Sequence, residues 1–168
     1  VQDIYGTSMH EVYVQGNHDP DDTVGSVCSN SGDNDPVNGA YGVYVINEKD
    51  YPWGHGTNTT SLKNTTQATA TALDAYLDEK VAEGYDKPIF VVTHLPLHYT
   101  SRTSSQNDGI YAKYIYDVLD EAGDKGLNII FMFGHNHSST YDDYLGGSAI
   151  YLEEGSNITI AKEGSNSE

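Results

Sequence analysis

Two runs of six residues, PIFVVT at 88–93 and NIIFMF at 128–133, constrain the fold more than any other part of the chain. Each is apolar without alternation and too short for a buried helix, the pattern of a strand covered on both faces. Each also follows a helical pattern. Over 66–83, Leu73, Tyr76, Leu77 and Val81 fall on one stripe, and Gly84 offers a stop. Over 108–122, Tyr111, Tyr114, Ile115, Val118, Leu119 and Ala122 share a face. Buried strands alternating with helices imply an α/β domain with parallel strand pairs.

The rest of the chain fills in around these runs. Residues 10–15 (HEVYVQ) alternate apolar and polar and are expected to form a strand, as are 40–46 (AYGVYVI). Two short strands are expected at 148–152 and 157–161, around a turn at Gly155 and Ser156. Residues 19–38 and 50–63 are irregular, and loops of such length are often functional. The expected order is strand, strand, helix, strand, helix, strand, strand, strand. It fits one domain over 1–168, with a loose polar tail from about 162.

Composition narrows the function. Twenty-five acidic residues against 8 basic ones give a formal charge of −17, which repels phosphate backbones and argues against nucleic acid as a partner. No apolar run approaches the ~18 residues of a membrane span. The single cysteine, Cys28, excludes an intrachain disulfide and a thiolate-rich metal site. Any transition metal must therefore be held by His, Asp or Asn. An acidic, cysteine-poor chain rich in Asn, Ser, Thr and Tyr points to a secreted or cell-surface bacterial protein. An anionic substrate would need a local cation: a metal ion, Arg102 (the only arginine) or Lys113.

Three histidine motifs sit at the ends of expected strands: GNHD at 16–19, THLPLH at 93–98 and GHNH at 134–137. In α/β sheets, ligands bind in the crevice beyond the carboxyl ends of the strands. Asn17, His18, His94, His135 and His137 are thereby expected to converge. Imidazoles with an amide or carboxylate oxygen suit Zn, Fe, Mn and related ions.

In this order, GNHD, VVTHLP and GHNH resemble the motifs of the calcineurin-like metallophosphoesterase superfamily, over a stretch from Val12 to Ser156. The resemblance implies an α/β/β/α sandwich. It implies a dinuclear centre of divalent or trivalent transition metals such as Mn, Fe or Zn, whose bridging hydroxide attacks a phosphoester. Asn17, His94 and His135 would ligate one ion and His137 the other. His18 would be the acid that protonates the leaving oxygen, and Asp19 would orient the His18 ring. His98 would be a rim residue near the substrate. Arg102, with Tyr99, is placed to meet a substrate phosphate, the alternative being a solvated loop arginine.

The family pattern begins with two further motifs, D-x-H and G-D-x-x-[DN], and VQDIYGTSMHEVYVQ at 1–15 contains neither. The expected sandwich is therefore incomplete, without its first strand–helix–strand portion. It would hold at most one ion well, with weak or no activity in this chain. An exposed sheet edge would favour self-association. Two other readings fit the same residues: a non-catalytic metal-binding or interaction module, and a metallohydrolase acting on something other than a phosphoester. Asp21, Asp22, Asp33 and Asp35 lack the register of a calcium loop. His10, His55 and Cys28 are expected to be bystanders.

Overall fold

The two apolar runs lie side by side as parallel strands, Ile89 opposite Ile129 and Val91 opposite Phe131. The computed structural model describes residues 10–37, 39–52, 59–95, 97, 111–134, 141–142 and 150–153. Along the chain these form β1 (Gly32–Asp33), β2 (Gly42–Ile46), α1 (Thr59–Ala82) and β3 (Pro88–Thr93). Then follow α2 (Ala112–Asp124), β4 (Asn128–Phe133), β5 (Tyr141–Asp142) and β6 (Ile150–Glu153). One sheet takes the order β1-β2-β3-β4-β6-β5. Its centre, β2, β3, β4 and β6, is parallel, and each edge is closed by a two-residue antiparallel strand. The fold is mixed α/β, as the alternation of helices with apolar runs implied.

Both helices lie on the same face of the sheet. Leu73 and Leu77 of α1 and Ile115 and Leu119 of α2 share one core with Ile89, Val91, Ile129, Phe131 and Phe133 of the strands. Each fully buried aliphatic or aromatic side chain there contributes about 1.5–3 kcal/mol. The opposite face is less well covered. Phe90, Val92, Ile130 and Met132 are only partly buried, so β3 and β4 are sealed on one face rather than on both as their composition implied. β2 is buried along its whole length. Residues 10–15 run beside it: the His10 ring stands edge-on to Tyr41 before the strand, and the Gln15 amide meets Asn47 after it.

That segment is not the strand its alternation predicts. Tyr13 donates its amide to the Ser29 hydroxyl at 3.1 Å and accepts the Ser29 amide at 2.8 Å. Gln15 donates to the Asn47 side chain at 2.8 Å. Side chains take the donors that a ladder would need. The first helix begins at Thr59, well before the expected start at 66. Its opening turns are Thr, Ser, Lys and Asn, poor in apolar signal, yet Leu62, Thr66, Ala70, Leu73 and Leu77 form one buried stripe. Gly84, at φ 66°, closes it with amide bonds from Gly84 to Val81 and from Tyr85 to Lys80. The second helix runs from Ala112 to Asp124 instead of 108–122, and the strand expected at 148–152 is β6. β1 and β5 carry no sequence signal at two residues each. The strand expected at 157–161 and the tail beyond about 162 lie outside the described residues.

Asp35 pins the loop before β2 onto α1. Its carboxylate accepts hydrogen bonds from Tyr76 Oη at 2.7 Å, Lys80 Nζ at 2.6 Å and the Val43 amide at 2.6 Å. Burial pushes the Asp35 carboxyl up, but these bonds and the Lys80 charge outweigh it and hold the group below its ordinary value. Gly42 makes room for the arrangement. A Cβ there would stand 2.7 Å from Tyr76 Oη and 3.0 Å from Ile89 Cγ1.

Candidate metal centre

The GNHD residues form a tight turn braced from inside. The Asp19 amide donates to the Gly16 carbonyl at 3.0 Å, and Asp19 Oδ2 accepts the Gly16 amide at 2.8 Å. The expected contact from Asp19 to the His18 ring does not occur. The Asp19 carboxylate fixes backbone instead, and His18 is exposed. The turn therefore presents two consecutive side chains differently: Asn17 half-buried and His18 open to solvent.

Asn17 points at the end of β3. Its Oδ1 lies 2.8 Å from His94 Nε2, across 77 residues of sequence. Gly16 is what lets them meet. A Cβ on Gly16 would stand 3.1 Å from His94 Nδ1 and 3.2 Å from Cε1, so the imidazole packs directly on the turn's backbone. On the other side of β3, the Gly134 amide donates to the His94 carbonyl at 3.0 Å, which extends the β3–β4 pairing past both strands. The GNHD turn, His94 and the glycine that opens GHNH thus adjoin. His135, the next residue, and His137 lie outside the described residues, as do His98, Tyr99 and Arg102. Lys113, the other cation considered for an anionic substrate, pairs with Asp117 one turn along α2.

The Asn17 and His94 donors suit a transition metal in kind and in spacing. Two ligand atoms each ~2.0–2.2 Å from one ion, at octahedral to tetrahedral angles, stand about 2.8–3.6 Å apart. The 2.8 Å contact lies at the short end of that range. Among the described residues no three His, Cys, Asp or Glu side chains come close enough to hold an ion.

Two residues that sequence reasoning passed over stand directly behind this turn. Gln15 and Asn47 are both completely buried. The available signal was a polar residue at the end of each apolar run, VYVQ and VYVIN. Beside them opens a polar cleft of about 580 Å³ between the 21–32 loop, the 49–50 turn and α1. Its acidic groups already have partners. Asp50 accepts from Lys49 and Ser31, and Asp21 accepts from Gln15 at 3.2 Å. Asp33 caps the Asp35 amide at 2.8 Å, so three of the four loop aspartates weighed for calcium serve the fold.

Comparison with models of known protein families gives no match, and no curated protein matches the chain.

Proposed function

We propose that the chain belongs to a metal-dependent phosphoester hydrolase of the calcineurin-like kind. The sheet and its two helices would be one half of an α/β/β/α sandwich. The observation that carries the reading is the 2.8 Å contact between Asn17 and His94, which brings a GNHD amide to a histidine at the end of a parallel strand. The Gly134 bond to His94 supports it by bringing the start of GHNH to the same strand end.

On this reading Asn17, His94 and His135 hold one ion of the Mn, Fe or Zn type. When bound, the ion supplies Lewis acidity toward a phosphate oxygen and lowers the pKa of water. Its charge also offsets the repulsion that an acidic protein exerts on an anionic substrate. His18, exposed beside Asn17, delivers a proton to the leaving oxygen. Asp19 keeps the turn closed. His137 would serve a second ion, whose other family ligands, in D-x-H and G-D-x-x-[DN], do not occur in these 168 residues. Hydrolysis by this chain is accordingly weak.

The test is metal content and hydrolysis together. Wild type and His94→Ala are loaded with Mn²⁺ or Zn²⁺, desalted, analysed for bound metal and assayed on an aryl phosphate. One equivalent in wild type is expected, with slow hydrolysis, and neither in His94→Ala. Hydrolysis unaffected by the substitution overturns the reading. Two tightly held equivalents overturn the single-ion count. One bound equivalent with no hydrolysis under either metal favours the non-catalytic metal-binding module.

A further inference from the structure

Behind the GNHD turn lie two buried amides whose hydrogen-bonding capacity is filled. Gln15 and Asn47 are each 0% exposed. The Gln15 amide N–H donates to Asn47 Oδ1 at 2.8 Å. Asn47 Nδ2 donates to the Ser29 carbonyl and to Ser31 Oγ, both at 2.9 Å. Gln15 Oε1 accepts the Lys49 amide at 3.1 Å. Gln15 Nε2 donates to the Asp19 carbonyl at 3.4 Å and to Asp21 Oδ1 at 3.2 Å. The Gln15 carbonyl accepts the Glu48 amide at 3.2 Å.

An apolar pair would fill this space without the desolvation cost of two side-chain amides. What the amides add is direction. Gln15 grips the turn at both ends: by the chain at Gly16, and by its side chain at the Asp19 carbonyl. Through Asn47 and Lys49 the same residue is anchored to the segment that follows β2, the parallel neighbour of the strand that carries His94. We infer that Gln15, backed by Asn47, is a positioning residue that sets the geometry in which Asn17 faces His94, and so presets the ion site. The inference rests on reading Asn17 and His94 as ligands. Outer partners that orient metal ligands are typically worth 10–100-fold in affinity.

Gln15→Glu isolates the effect. It keeps the side-chain length and the acceptor for Lys49, but turns an oxygen toward the Asp19 carbonyl and the Asp21 carboxylate. Adding Asp21→Asn returns a donor to that contact with its direction reversed. Three quantities are read on the full chain at one fixed pH: Mn²⁺ affinity from the free-ion EPR signal, the metal-free imidazole ¹⁵N shifts of His94, and urea stability. Gln15→Glu is expected to weaken Mn²⁺ binding about 10–100-fold and to move the His94 resonances, and Asp21→Asn to recover part of both. A folded Gln15→Glu protein with unchanged Mn²⁺ affinity and unchanged His94 resonances overturns the inference, whatever its stability. If wild type binds no Mn²⁺, the ion reading has failed. The His94 shifts then decide positioning alone, movement supporting it and constancy overturning it. Should Gln15→Glu not fold, Asn47→Asp is read by the same criteria. It keeps Oδ1 for the Gln15 amide and gives up the two donations to the Ser29 carbonyl and Ser31 Oγ.

Discussion

Replacing Gly42 by alanine tests whether that glycine exists to admit the Tyr76 hydroxyl. The new Cβ would stand 2.7 Å from Tyr76 Oη, 3.0 Å from Ile89 Cγ1 and 3.4 Å from Ile89 Cγ2. A carbon and an oxygen do not rest closer than about 3.2 Å, so Tyr76 must withdraw by roughly 0.5 Å. It is not free to do so. Its hydroxyl is held at 2.7 Å by Asp35, and its ring lies 5.1 Å from that of Tyr44. Overpacking of this kind costs about 1–3 kcal/mol. Stretching a bond to a carboxylate adds about 1 kcal/mol. Against this, alanine is about 0.5–1 kcal/mol better than glycine within a strand. The net expectation is a loss of about 2 kcal/mol. In a Tyr76→Phe background both the clash and the bond are gone, and only the Ile89 contact opposes the gain in strand propensity. There Gly42→Ala should cost about 0–0.5 kcal/mol, a coupling near 1.5 kcal/mol. Urea unfolding of the four proteins, followed by far-UV circular dichroism with the m-values compared, measures it. If Gly42→Ala costs the same in both backgrounds, within about 0.5 kcal/mol, the hydroxyl is not what excludes a side chain at position 42.

Lys80→Met removes the cation whose hydrogen bond and charge, with the Val43 and Tyr76 bonds, offset burial at Asp35. It is expected to destabilise the protein by about 1–2 kcal/mol at neutral pH, a modest figure because both side chains keep some solvent contact. The loss carries a pH signature. The Asp35 carboxyl lies below its ordinary value in the folded protein, so its contribution is present above the unfolded value near pH ~4 and fades as pH falls through the lower folded value. Urea titrations from pH 2 to 6 should therefore show a shallower acid limb in Lys80→Met than in wild type. An unchanged limb would mean that Lys80 does not set the Asp35 carboxyl. Gly16→Ala presses a methyl group on the His94 ring, whose nearest atoms stand 3.1–3.4 Å from the Cβ position. It should cost Mn²⁺ affinity about tenfold and stability no more than about 1 kcal/mol. Equal affinity in a folded variant would show that the ring gives way without disturbing Asn17.

The parts of this fold that were legible in the sequence are those where side-chain pattern and tertiary burial coincide. PIFVVT and NIIFMF became β3 and β4 with the expected bounds, because a dense apolar run has few alternatives. The helical stripes held for Leu73, Leu77, Ile115 and Leu119. The start of α1 was hidden because Thr66 occupies a core position that an apolar residue would have advertised. Residues 10–15 alternate as a strand does, but alternation does not reveal that Ser29 and Asn47 side chains take the backbone donors. At the candidate site, the motifs brought Asn17 and His94 to attention, and the chain brings them together. Gln15 and Asn47 were not legible, since one buried amide at the end of an apolar run looks like any polar residue where a strand stops. Asp19 was assigned to the His18 ring by motif logic, whereas its bond to the Gly16 amide depends on a turn that no spacing rule describes.

The connections of the sheet carry a consequence for the order of assembly. β2, α1, β3, α2 and β4 follow one another in the chain as they do in the fold, so this unit is built from two consecutive strand–helix–strand connections. The 10–19 segment docks through the bond between Gln15 and Asn47, 32 residues apart, and the one between Asn17 and His94, 77 apart. It has little buried surface of its own until that unit exists. Amide hydrogen exchange should accordingly separate two classes: slow amides in β3 and β4, exchanging only on global unfolding, and faster ones at Gln15, Gly16 and Glu48, exchanging when the segment lifts away. The contact between Asn17 and His94 is then the last piece to form and the first to come apart. A bound ligand would slow exchange in the second class and leave the first almost untouched.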